Sequence, residues 1–252
     1  DVTLYWGSID GGTDPSLWEH EVNVGNYYAE SATNGFYGYG YTASTVQNDS
    51  YMNDIETMLA LIPAGSTVLQ GEPNNPANDG FYFNGDNDFK NSGIGIAQND
   101  NYMDAFVAEF NAPETGNYKF KMDQRDDYAG IWLDLNQNGV FENTDANSSE
   151  KLGGPDNFTS ENVSLVAGQT YKIALAHGEG GGGSRFRAWV ETPSLSDRVI
   201  KPLEAAQDGL FTISKLSNGK LLSEQIKIES DLTGLIHGNT YYYRLYASNY
   251  QV

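Results

Sequence analysis

Short runs of apolar and aromatic residues, each closed by Gly, Asn or Asp, recur along most of this 252-residue chain. That spacing suits many strands joined by tight turns, and it leaves no room for long heptads or βαβ alternation. Val2–Trp6, Glu21–Val24, Tyr102–Phe110, Asn117–Asp123, Gly130–Leu135, Val163–Leu165, Thr170–Ala176 and Arg185–Glu191 read as strands. A last group covers Phe211–Leu216, Glu224–Glu229 and Tyr241–Ala247. One segment has helical spacing instead. Met52, Ile55, Met58, Leu59 and Ile62 predict a helix over Ser50–Leu61, capped by Ser50 and stopped by Pro63 and Gly65. Residues 70–101 read as loop. The expected fold class is all-β.

The chain has no Cys, which removes disulfide staples, thiol catalysis and thiolate metal sites together. No run approaches the roughly 18 apolar residues that span a bilayer. The chain opens directly on a strand pattern, as a mature or excised fragment would. Residues 1–160 hold 25 acidic against 5 basic side chains, while residues 161–252 hold 9 of each, so the net charge of −20 sits in the first part. Nucleic acid and anionic membranes are poor partners for such a surface. The acids recur in Asx-rich turns, where hard oxygen ligands can converge on a divalent cation; a solvated acidic face is the plainer alternative.

Several separated motifs occur in order: Ala112-Pro-Glu-Thr-Gly-Asn-Tyr118, Arg125-Asp-Asp-Tyr-Ala-Gly-Ile-Trp-Leu-Asp134, Val163-Ser-Leu-Val-Ala-Gly-Gln-Thr-Tyr-Lys-Ile173, then a glycine run before Phe186-Arg-Ala-Trp-Val-Glu-Thr-Pro193. On these, residues 102–193 resemble the β-sandwich domain named after the anthrax protective antigen, shared with yeast flocculins and bacterial adhesins. Residues 26–101 would supply its less regular front. The resemblance implies that Asp126-Asp127, joined by a cis peptide, chelates a Ca2+ that binds sugar hydroxyls. It also places His177, Glu179 and the loop up to Arg185 in the second ligand-contacting segment, with Tyr128 beside the pair. An ordinary turn at Asp126-Asp127 remains open, because members that bind no sugar keep similar residues there.

The chain departs from that pattern after Trp132. Asp134-Leu-Asn-Gln-Asn-Gly-Val-Phe-Glu-Asn-Thr-Asp145 fits the 12-residue calcium loop of EF-hands, with oxygens at Asp134, Asn136, Asn138, Glu142 and Asp145. Gly139 takes the turn position and Val140 offers its carbonyl. The short Asp145 implies a modest affinity of roughly 10⁻⁴–10⁻³ M. A metal-free Asx-rich hairpin turn is the competing reading.

A second motif, Gly234-Leu-Ile-His-Gly-Asn-Thr-Tyr-Tyr-Tyr-Arg-Leu-Tyr-Ala-Ser-Asn249, resembles the tyrosine corner and following strand of a fibronectin type III-like sandwich, with Tyr241 as the corner. Val2–Gly7 resembles an earlier strand of the same module. The expected organisation is residues 1–25 and 211–252 as two halves of an incomplete fibronectin type III/Ig-like sandwich. The protective-antigen-type sandwich of residues 26–193 is nested between them, followed by a linker at 194–210. Such a half-built sandwich belongs to a longer protein, or else neighbouring copies supply strands through its open edges.

Phe36, Tyr37, Tyr39 and Tyr41 suit a packed strand or a sugar-stacking row. No nucleophile elbow, His-Glu-x-x-His or phosphate loop is present, and the paired carboxylates sit in turns that look wet rather than in apolar pockets. The function expected is therefore binding, not catalysis: a calcium-dependent, carbohydrate-binding adhesion module at the bacterial cell surface. The alternative is a filament or assembly subunit joined by strand complementation and stiffened by calcium.

Overall fold

A computed structural model describes residues 2–25, 33–42, 54–69, 82–142, 150–153, 158–194, 198–199, 210–213 and 231–247. The strands are β1 (Val2–Gly7), β2 (His20–Gly25), β3 (Thr33–Asn34), β4 (Phe36–Thr42), β5 (Gly65–Leu69), β6 (Tyr82–Asn84), β7 (Tyr102–Asn111), β8 (Gly116–Asp123) and β9 (Tyr128–Leu133). They continue as β10 (Lys151–Gly153), β11 (Phe158–Thr159), β12 (Val163–Leu165), β13 (Thr170–Glu179), β14 (Arg185–Glu191), β15 (Arg198–Val199), β16 (Phe211–Ile213) and β17 (Tyr242–Ala247). Two short helices, α1 (Ile55–Leu59) and α2 (Asp86–Asn91), complete the set. The fold is an all-β sandwich type, and the chain divides into two compact units: Asp1–Ser31 with Lys215–Val252, and Ala32–Ser214.

In the smaller unit, β1 lies between β17 and β2 in an antiparallel sheet. Trp6 faces Tyr243 and Leu4 faces Leu245 across the β1–β17 pair, so these four side chains share one face. The Tyr241 hydroxyl accepts the Ile236 amide at 3.0 Å, closing the turn ahead of β17.

The larger unit stacks an eight-stranded sheet on a six-stranded one. The first runs β10-β9-β13-β7-β16-β3, with β4 also on β7 and β5 on β4; the second runs β11-β8-β14-β15, with β12 on β8 and β6 on β14. Alternation in the strands supplies the filling between them. Phe106 and Phe110 of β7, Ile131 and Leu133 of β9 and Ile173 and Leu175 of β13 meet Phe120 of β8 and Phe186 of β14, all fully buried. Trp132 points to the opposite side of β9 from Ile131 and is buried too. Trp189 differs from that pattern: it is half-buried, and its indole donates to Asp123 at 3.0 Å.

Four expectations change. The helix starts at Ile55, because Asp54 is extended and caps it by accepting the Thr57 amide at 3.3 Å; Ser50 lies outside the described residues. Within the stretch read as loop, Asp86–Asn91 forms α2, which buries Phe89 against Phe83, while Tyr82–Asn84 pairs with β14. Phe211–Ile213, assigned from sequence to the smaller module, instead pairs with β7 and β3 of the larger one, stacking Phe211 on Phe36. Two residues of the expected linker, Arg198–Val199, extend the sheet beside β14.

Candidate functional site

At one end of the larger unit the β8–β9 turn meets the loop that leaves β13. Gln124 and Asp127 both sit in the left-handed region, at φ 49° and 50°, which turns the chain sharply and carries Asp126-Asp127 toward that loop. The Asp126 amide donates to the Arg185 carbonyl at 2.7 Å, tying the two segments together. Asp127 Oδ2 accepts the Gly180 amide at 2.6 Å and the Gly181 amide at 3.3 Å. Glycine matters at position 180 because an added Cβ would stand 3.1 Å from Asp127 Oδ2. The same loop donates the Gly182 amide to Asp100 Oδ1 at 3.2 Å, and the Ser184 amide and hydroxyl to Asp86 Oδ1 at 3.1 and 2.7 Å. Three carboxylates thus hold one glycine loop by its backbone amides. Asp86 and Asp100 were not legible as site residues, since only the fold brings them here.

Below this rim lies a buried polar row on the inner face of β7 and β13. The register pairs Asp104 with His177 and Tyr102 with Glu179. His177 Nδ1 is 3.0 Å from Asp104 Oδ2, and its ring packs against Phe89 and Phe186 with centroids 4.7 and 5.4 Å away. Burial raises the Asp104 carboxyl above its ordinary value, with His177 opposing. Glu179 is fully buried, with its carboxyl beside the Ser184 hydroxyl and the Asp127 carboxyl. Burial first, and then the Asp127 and Asp126 charges, push its carboxyl up to about 8. Burial and the Asp104 carboxylate likewise raise the Tyr102 hydroxyl. His177 is therefore an interior residue rather than a rim contact, whereas the Arg185 side chain is exposed and Tyr128 half-buried.

The loop after β9 folds as a compact Asx-rich turn. Asp134 accepts the Asn138 and Gly139 amides at 3.1 and 2.7 Å, Asn136 Oδ1 accepts the Asn138 amide at 3.0 Å, and Asn138 Oδ1 accepts the Val140 amide at 2.8 Å. The Asn136 and Asn138 side-chain amides both donate to Glu142, at 3.0 and 2.9 Å. The structure thus brings Asp134, Asn136, Asn138, Val140 and Glu142 together, while Asp145 lies outside the described residues. Glu150, which the twelve-residue spacing does not reach, anchors the turn. It accepts Leu135 and Asn136 amides at 2.6 and 3.2 Å on one oxygen and the Glu142 amide at 2.9 Å on the other. Burial raises its carboxyl, against those amides. Lys172 joins this turn to α1 through the Gly139 carbonyl at 2.8 Å and Glu56 at 3.3 Å.

The donor chemistry of the first region, hard carboxylate oxygens on the adjoining residues Asp126 and Asp127, fits a calcium-type cation. The carboxylates are neighbours and not a finished cage: among the described residues, no three His, Asp or Glu side chains form a ready-made metal cluster.

Residues 106–192 match the GLEYA domain, a span from within β7 to the end of β14 that includes Asp126-Asp127 and the glycine loop. That match supports a lectin-like, adhesin-type domain in the larger unit. No curated protein matches the chain. Among solved structures it is similar to an anti-sigma factor domain-containing protein from Clostridium clariflavum, at 17% identity and TM-score 0.44 over 69% of this chain and 49% of that one. Similar too is the PA14 domain of the MpAFP antifreeze protein, at 13% identity and TM-score 0.49 over 73% and 92%. A third is the Epithelial Adhesin 9 A domain from Candida glabrata in complex with Galβ1-3GlcNAc, at 12% identity and TM-score 0.45 over 67% and 85%. The chain spans about half the length of the first of these. Among the described residues no helix is long and apolar enough to cross a membrane.

Proposed function

We propose that this chain is a carbohydrate-binding adhesion module of an extracellular surface protein, which binds rather than catalyses. Its ligand sits at the sandwich end where the Asp126-Asp127 turn faces the Gly180–Ser184 loop. The carrying observation is that closure, with the Gly180 and Gly181 amides on Asp127 and the Asp126 amide on the Arg185 carbonyl. The GLEYA match covers both segments and supports the sugar reading. When bound, calcium supplies a Lewis-acidic centre that vicinal hydroxyls can share. Asp126 and Asp127 hold it, the glycine loop leaves room for a sugar to approach backbone amides, and Tyr128 and Arg185 shape the rim. A second calcium in the Asp134–Asp145 turn would stiffen the sandwich. The test is glycan-array binding in millimolar calcium and in chelator, with Asp127→Asn beside the unaltered chain. Binding that survives both chelation and substitution sinks the proposal.

One observation favours a second reading, assembly through the smaller unit. Tyr243 is 76% and Leu245 50% exposed on the apolar face shared with Trp6 and Leu4, in a sheet of three strands. Such a face suits a strand or sheet contributed by another copy in a fibronectin type III-like arrangement. Sizing at micromolar concentration separates the readings: ordered polymers favour assembly, and a glycan-binding monomer removes it.

A further inference from the structure

We propose that Tyr82, Asp123, Gln124 and Arg187 form a clamp that sets the Asp126-Asp127 turn in its ligand-binding shape, with Tyr82 and Gln124 as positioning residues. Their role rests on the reading of that turn as the binding site. Gln124 is the first residue after β8, and its backbone is left-handed at φ 49°. Glycine, asparagine and aspartate take that conformation readily, whereas a glutamine keeps it only where its surroundings hold it. What holds it here lies on the outer face of the six-stranded sheet, opposite the buried Phe83, Met122 and Phe186. The Tyr82 hydroxyl of β6 donates to Gln124 Oε1 at 2.7 Å, across 42 residues of chain. Tyr82 stands beside Arg187 of β14, whose guanidinium lies over its ring at 5.6 Å from the centroid. Arg187 in turn faces Asp123 of β8 and grips it with two bonds, Nε to Oδ1 and Nη2 to Oδ2, both 2.8 Å. Asp123 joins Gln124 through the chain itself, so four side chains close a ring across three strands.

A lone ion pair on a sheet surface contributes little. A bidentate fork fixes direction as well as distance, and here Trp189 stiffens it further. The Arg187 guanidinium lies 4.5 Å from the Trp189 ring centroid, and the Trp189 indole donates to the same Asp123 Oδ1 at 3.0 Å. Asp123 is thereby aimed, and with it the chain that runs on into the turn. Gln124 and Asp127, both left-handed, bracket that turn. Between them the Asp126 amide reaches the carbonyl of Arg185, two residues before Arg187 on the same strand. Strand β14 therefore holds the turn twice, by its backbone at Arg185 and by a side chain at Arg187. The bonds from the Gly180 and Gly181 amides to Asp127 depend on that course. With the clamp broken, Gln124 relaxes toward the ordinary backbone regions, and Asp126 and Asp127 swing away from the glycine loop.

Residue-resolved hydrogen exchange and calorimetric calcium titration compare the unaltered chain with Tyr82→Phe, which removes only the hydroxyl. The expected result is exchange about fivefold faster or more at the Asp126, Gly180 and Gly181 amides, with the β8 and β13 strand amides and the melting temperature unchanged. Calcium is expected to bind about fivefold more weakly to the same variant. A role confined to sheet stability would instead speed all these amides together. Gln124→Gly gives a second reading, because glycine accepts a positive φ without being held. Adding Y82F to Q124G should then change the three amides by less than about twofold. Exchange at those amides that is unchanged in Y82F, or faster by one factor throughout the larger unit, overturns the proposal. A full-sized Y82F effect in the Q124G background overturns it too. No calcium binding to the unaltered chain removes the calcium reading of the aspartate pair, while the exchange rates still decide the clamp.

Discussion

Two acidic turns border β9, and they solve the same electrostatic problem in opposite ways. In the Asp134–Glu142 turn every described carboxylate is matched by donors: Asp134 by two amides, Glu142 by two side-chain amides, and the buried Glu150 by three backbone N–H groups. At the other end of β9, Asp127 is held by the Gly180 and Gly181 amides, while burial and the Asp127 and Asp126 charges raise the carboxyl of the buried Glu179. A turn whose acids are already hydrogen-bonded can hold its shape alone, and a cation there would only add stiffness. Where acids repel across a dry interior, a proton or a cation would relieve the repulsion. Acidic residues near one another are therefore a weak sign of metal, and an acid without a donor is a stronger one.

The contrast can be broken experimentally. The largest effect belongs to Asp127→Asn, expected to lower calcium affinity by about a hundredfold and to abolish calcium-dependent glycan binding, whereas Asp134→Asn should leave glycan binding intact. Equal losses from both would erase the distinction. Next is Glu150→Ala, which strands three amides and should cost about 3 kcal/mol in chelator, read from denaturant unfolding. A cost under about 0.5 kcal/mol would mean that the turn is not self-supporting.

Acidity sharpens the comparison further. Glu179 holds its proton more tightly when folded, with a carboxyl at about 8 against its ordinary 4.5. Between those values the folded state binds more protons than the unfolded one, so stability in chelator falls as pH rises through that window. The expected loss is roughly 2 kcal/mol between about pH 5 and 7, and Glu179→Gln should flatten the profile. A steeper or unchanged slope in E179Q contradicts the assignment. The smallest effect is Asn136→Ala, which removes one exposed donor to Glu142 and should cost about 1 kcal/mol or less in the same unfolding assay.

Much of this was legible in the residues, for local reasons. Alternation marks Val163–Leu165 and Arg185–Glu191 directly, and the acidic pair and glycine run announce themselves by composition. What could not be read depends on pairing between distant segments. Asp104 meets His177 across 73 residues, and Glu150 reaches the turn from beyond the twelve-residue template that suggested it. Phe211–Ile213 was recognisable as a strand, yet period-two alternation does not say which sheet receives it; Phe36 stacked on Phe211 and Phe110 packed against it at a tilt decide that. The short α2 was hidden because its sequence, Asp-Asn-Asp-Phe-Lys-Asn, reads as turn, and one buried aromatic outweighs that propensity.

The hydrogen-bonded neighbours Thr33–Asn34 and Thr212–Ile213 have a consequence for engineering. The polypeptide enters and leaves the larger unit on adjoining strands, so that body hangs from a single doorway. A host protein accepting it at a surface hairpin would gain a whole module without having its own flanks pushed apart.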